Sequence, residues 1–173
     1  MDFNPPSSSR AFATPRSWSF VSEFLYDEDA TDAELADLIA GTIGDGLGVK
    51  FMAHRKVAGR MPNPSDILSG KVKELKVKEI SAMYSLTVSL CYELKDAADR
   101  GQRAKANGDK KPMDEFQKQT DTFFRFIMDN FEDELAVMGA KTVLGTYKLP
   151  IEAPQLKNWK EFVKRYSDLL PNV

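Results

Sequence analysis

The chain has 173 residues, 42% of them hydrophobic, which is enough to bury one sizeable core and excludes a disordered chain. Its 24 basic and 26 acidic side chains nearly cancel, giving a formal net charge of -2 and a pI near 5.5, so no global attraction to nucleic acid or anionic lipid is expected. The single cysteine, Cys91, makes no intramolecular disulfide, and there is neither a secretory leader nor a run of about 18 apolar residues, so a cytoplasmic, non-membrane protein is expected.

Residues 1–13 are rich in proline and serine and read as a linker cut from a longer protein. Thr14-Pro15 then supplies an N-cap followed by proline at the first helical position, opening a helix to about Tyr26 with Trp18, Phe20, Val21, Phe24 and Leu25 on its apolar face. Thr31-Asp32-Ala33-Glu34 is a capping box and starts a second helix carrying Leu35, Leu38 and Ile39. Glycines at 41, 44, 46 and 48 either break one helix into two or let two helix backbones approach closely. Phe51 and Met52 resume the pattern, Met61-Pro62-Asn63-Pro64 ends it, and a brief turn follows through Ile67 and Leu68.

A long helix is expected from about Lys76 to Arg100, with Val77, Ile80, Tyr84, Val88, Cys91 and Leu94 along one face. Residues 101–111 are polar and read as an exposed loop. Pro112 opens a further helix whose Phe116, Thr120, Phe123, Phe124, Ile127, Met128 and Phe131 must be buried. A segment from Glu132 to Leu144 contributes Leu135, Met138 and Val143, and Tyr147-Lys148-Leu149-Pro150 interrupts it. A last amphipathic helix with Trp159, Phe162, Val163 and Tyr166 stops at Pro171. No run alternates with period two, so the expected fold is an all-α helical bundle of six or seven helices.

Few residues offer chemistry. No P-loop string occurs, and Gly41-Thr42-Ile43-Gly44-Asp45-Gly46 follows a helical pattern where a dinucleotide loop needs a strand, so helix packing is the better reading. Asp27, Glu28, Asp29, Asp32 and Glu34 lack calcium-loop spacing and suit a helix N-terminus. His54 is the sole histidine and has no partner for a metal set or triad. Lys71, Lys73, Lys76 and Lys78 form one basic run, and Arg100, Arg103, Lys105, Lys110 and Lys111 a second. Interleaved acids and an acidic whole favour a solvated surface over nucleic-acid contact. The most informative residue is Arg16, a cation in the first turn of a helix, where it opposes the macrodipole by up to about 1 kcal/mol. A phosphate would reconcile the two, because free amides and a guanidinium fork both attract it; an exposed or carboxylate-paired arginine is the alternative.

Ala13-Thr14-Pro15-Arg16-Ser17-Trp18 resembles the opening of the lid domain of MoxR-like AAA+ ATPases. The likeness continues through Ile43-Gly44 and Phe51-Met52 to Met61-Pro62-Asn63-Pro64-Ser65-Asp66-Ile67-Leu68, covering about the first 70 residues, and is loose beyond them. The resemblance implies a lid-like segment at 14–70 and an additional helical bundle at 71–173 packed on it. It also implies that Arg16 is the sensor-2 arginine, reaching the γ-phosphate of ATP bound, with Mg, on a preceding P-loop domain. The P-loop, the metal-binding acidic strand and the arginine finger lie outside these residues, so no catalytic set is complete here and no hydrolysis by this chain alone is expected. Implied partners are that ATPase domain, neighbouring subunits of a ring and a von Willebrand factor A protein, in a chaperone-like remodelling ATPase. The competing reading is a stand-alone helical adaptor that recognises another protein through aromatic and methionine surfaces.

Overall fold

A computed structural model describes residues 11–27, 29–76, 78–152 and 156–169. Among these the fold is all-helical, with eight α-helices and no strand. The chain divides into two compact units after Gly59. The expected boundary near residue 70 differs because Ile67 and Leu68 are buried in the core of the second unit. Most of the expected 1–13 linker, together with Glu28, Val77 and Pro171, lies outside the described residues.

The first unit contains α1 (Pro15–Phe24), α2 (Asp32–Ile43) and α3 (Asp45–Ala58). Its core is small: Val21, Leu35, Ile39, Ile43 and Met52 are buried, with Trp18, Phe24, Leu47 and Phe51 half-buried against them. Trp18 and Phe51 bring their ring centroids to 5.6 Å. Phe20, Leu25 and Leu38, expected in the core, are exposed, because a short helix on a small core covers only a narrow stripe and these three fall on its flanks.

Both capping signals are realised. The Thr31 hydroxyl accepts from the Glu34 amide at 3.3 Å while the Glu34 carboxylate accepts from the Thr31 amide at 2.8 Å. The bond from the Thr31 amide, then that from its hydroxyl, holds the Glu34 carboxyl below its usual pKa. That contribution is complete above the carboxyl's unfolded pKa and is lost as pH falls through the folded one.

The glycine run does both things expected of it. Gly44, at φ 93°, ends α2 and begins α3, a conformation that a side chain strains. One turn later Gly48 lies against α2, where an added Cβ would meet the Ala40 Cα at 2.8 Å.

The second unit contains α4 (Pro64–Leu68), α5 (Ile80–Ala106), α6 (Lys111–Asn130), α7 (Asp133–Lys141) and α8 (Lys157–Tyr166). Asn63 caps α4 by accepting from the Ser65 amide at 2.9 Å, with Pro64 at the first helical position. The aromatic stripe of α6 forms the core as expected: Phe116, Phe123, Phe124, Ile127 and Thr120 have no exposed surface, and Met128 and Phe131 are buried. Phe124 packs on Trp159 and Phe162 of α8 at centroid distances of 4.8 and 5.2 Å. Val163, expected beside them, is on the exposed flank of α8. After α7 the helix widens into one π turn, Thr142–Thr146, which the Tyr147 amide closes on the Thr142 carbonyl at 2.9 Å.

Two expectations for α5 are corrected. It begins at Ile80 and runs through Ala106, so most of the expected 101–111 loop is helical. Gly101 sits where an added Cβ would meet the Met113 Cα at 3.1 Å, making it a close helix contact and not a loop residue. The buried face is Met83, Leu86, Thr87, Leu90, Cys91, Leu94, Ala97 and Ala98; of the expected face, Cys91 and Leu94 are buried whereas Ile80, Tyr84 and Val88 are exposed.

Two amides of α6 secure the neighbouring extended segments. Asn130 accepts from the Leu75 amide at 2.7 Å and donates to the Lys73 carbonyl at 3.0 Å. Gln117 accepts from the Glu152 amide at 3.0 Å and donates to the Pro150 carbonyl at 2.8 Å.

The glycine geometry is open to a paired test. Gly48→Ala is expected to destabilise the first unit by about 1–3 kcal/mol through overpacking against Ala40. Gly41→Ala, with nothing within 4 Å of its added Cβ, is expected to be neutral or stabilising by up to about 1 kcal/mol. Urea denaturation followed by circular dichroism compares them, and equal effects would remove the close-approach explanation.

Candidate functional site

The start of α1 is built to hold one geometry. Thr14 is extended, at φ -132° and ψ 164°, and its hydroxyl accepts from the Ser17 amide at 3.0 Å. The Ser17 hydroxyl, itself buried, accepts from the Thr14 amide at 2.7 Å and reaches the Phe12 carbonyl at 3.3 Å. Pro15 fixes the first helical φ and brings no donor. Val21, one turn further on, anchors the helix in the core at 1% exposure.

Arg16 stands between these fixed points and is exposed. No acidic residue occupies the first turn of α1, and among the described residues Arg16 forms no ion pair. The carboxylate pairing that would offset its unfavourable position against the helix dipole is therefore not made among them. Arg16 is thus the exposed arginine of the alternative reading, with its guanidinium open to a planar oxyanion, while the Ser17 and Trp18 amides of the same turn are already bonded to Thr14.

Some of the other residues with chemical potential are engaged in structural contacts, and the rest lie on the surface. Asp32 pairs with Arg55 at 2.7 Å, and Asp27 accepts from the Asp29 amide at 3.1 Å, so these acids serve helix and loop structure. His54 is half-buried on α3. Lys71 is bound to Asp66 at 2.9 Å, and Lys73, Lys76 and Lys78 are exposed. Arg100, Arg103 and Lys105 lie on the exposed side of the last turns of α5, where cations complement the helix dipole. Among the described residues no group of three or more His, Cys, Asp or Glu side chains gathers as a metal site would, and no helix is long and apolar enough to cross a membrane.

One feature has no signal in the linear sequence. A groove of about 410 Å³ opens in the second unit between the start of α5, the turn from α6 to α7, and α8. Its residues come from three distant stretches, so no local motif announces it.

Comparison with protein-family models, with curated proteins and with solved structures returns no match.

The buried thiol gives a direct check on packing. Cys91 is 1% exposed, its Sγ lies 3.7 Å from the Gly139 carbonyl oxygen, and burial pushes its pKa up to about 12. Labelling with an aromatic disulfide at pH 8 is expected to be negligible in the folded protein and complete after unfolding in urea, since the thiolate is the reacting form. Fast labelling of the folded chain would show that α5 and α7 open readily.

Proposed function

We propose that this chain is the C-terminal helical lid region of a MoxR-like AAA+ ATPase, and that Arg16 is its sensor-2 arginine. The observation that carries the reading is an exposed arginine, without an ion-pair partner among the described residues, in a first helical turn whose start is fixed by the Thr14–Ser17 reciprocal cap and Pro15. Rigidity matters to such a role. A guanidinium that reports the γ-phosphate has to arrive in one place when the lid closes, and the cap together with Val21 supplies that fixed origin.

In this reading ATP and Mg are bound mainly by a P-loop domain preceding the lid, and this chain contributes the guanidinium. Charge developing on the transferred phosphoryl group would be offset by Arg16, the electrostatic work that phosphoryl transfer requires. The second unit then adds helical surface for contacts with neighbouring ring subunits or with a partner such as a von Willebrand factor A protein, in a cytoplasmic remodelling ATPase.

A stand-alone helical adaptor remains the second reading, favoured by the exposed apolar residues Ile80, Tyr84, Val88 and Tyr92 on α5. The two separate on ATP turnover by the full reading frame that contains this chain, wild type beside Arg16→Ala and Arg16→Lys. The lid reading expects Arg16→Ala to lower kcat by about 100-fold or more with unchanged melting, and Arg16→Lys to restore little, because lysine lacks the planar fork. Unchanged turnover, or a frame without a P-loop, would transfer the assignment to the adaptor.

A further inference from the structure

On α5, away from its buried face, Ile80, Tyr84, Val88 and Tyr92 are 67%, 49%, 46% and 56% exposed. Their spacing of four residues sets them along an apolar ridge about 18 Å long that winds gradually round the helix, and the last of them, Tyr92, also meets the Tyr147 ring at 5.8 Å. At its N-terminal end the ridge borders the groove beside the α6–α7 turn, whose apolar wall is completed by Met83, Met128, Phe131 and Leu135. Asp129, Glu132 and Glu134 stand on the α6–α7 side of the rim and Lys78 on the α5 side, all exposed. Arg165 also lines the groove, but it is committed to Asp133 at 3.5 Å and to the Met128 carbonyl at 3.2 Å. The three rim carboxylates form no ion pair among the described residues, so the rim carries an excess of negative charge.

We propose that this groove and ridge dock an amphipathic helix of a partner protein, one whose apolar stripe is flanked by Lys or Arg on the side that meets Asp129, Glu132 and Glu134. The surface consists of helix side chains with no free strand edge, so a partner cannot add as a strand, whereas a row at spacing four suits the ridge-into-groove packing of a second helix. The carboxylates set the sign of the partner's flank and its orientation across the groove. They also argue against an anionic lipid surface, which would be repelled. A second copy meeting the groove about a two-fold axis is an outcome that the test separates. The inference does not depend on the nucleotide role of Arg16.

The test uses the whole chain and two fluorescein-labelled synthetic peptides of about 18 residues, long enough to form a helix on binding. They share one Leu/Phe stripe, flanked by lysines in one peptide and by glutamates in the other. Fluorescence anisotropy at low salt is expected to show the lysine peptide binding at least about tenfold more tightly, with the preference shrinking as salt rises. Glu132→Gln combined with Glu134→Gln is expected to erase most of that preference. Ile80→Asp and Tyr84→Asp, both at exposed positions, are expected to abolish binding with an unchanged helical circular dichroism spectrum. The proposal is overturned if neither peptide binds, if both bind equally, or if Ile80→Asp and Tyr84→Asp leave binding intact. It is likewise overturned if sedimentation shows a dimer that these two variants dissociate, which would give the surface to a second copy.

Discussion

Residue spacing along α6 places Phe116, Phe123, Phe124 and Ile127 wholly out of water, and the neighbouring helices of the second unit are held by what they can bury against that face. From α5 come Leu90, Leu94 and the small residues Ala97, Ala98 and Gly101, which let the two backbones approach. From α8 come Trp159 and Phe162, each tilted against Phe124 and stacked on one another, and Tyr166, tilted against Phe162. Such ring pairs add about 0.5–1.5 kcal/mol each beyond the area they bury. Without the aromatic rows α8 would be held mainly by the Asn158–Asp121 hydrogen bonds and by Arg165 on the Met128 carbonyl, since its remaining surface is largely charged.

The first unit works under the opposite limitation. With five buried apolar residues among those described, it has little hydrophobic surplus, and it relies on local devices: two reciprocal caps, a glycine corner, and one glycine–alanine close approach. One of them, the Thr14–Ser17 cap, fixes where α1 begins and hence the backbone position of Arg16. In such a unit the precision of a surface residue is set by backbone chemistry more than by the mass of the core behind it.

Much of this was legible in the sequence, and the reasons for the exceptions are physical. Thr14-Pro15 and Thr31 to Glu34 are short-range signals whose geometry depends on neighbours within one turn, and both formed as read. The α6 face was legible because large aromatics recur at helical spacing and leave no other face to bury. On α5 two apolar stripes compete. Ile80, Tyr84 and Val88 are as bulky as Met83, Leu86 and Leu90, so size does not choose between the stripes, and the buried one is marked by its continuation through Ala97, Ala98 and Gly101, small residues that allow close approach. That smallness also made Gly101 look like a loop. Arg16 could be singled out from its position in the helix, but the groove could not, because Lys78, Glu134 and Arg165 meet only after folding.

The clasps made by Asn130 and Gln117 follow one pattern: each grips a carbonyl and the amide two residues later, as a neighbouring strand would. An all-helical body thus contains two one-sided pieces of sheet chemistry, supplied by side chains. That arrangement depends on the difference between nitrogen and oxygen at the end of one side chain. Hydrolysis of either amide to the isosteric carboxylate would replace the donor facing Lys73 or Pro150 with a second acceptor, turning attraction into repulsion without changing the shape of the side chain. For this fold, deamidation at either residue would loosen the anchoring of a connecting segment, which is more than a change in surface charge.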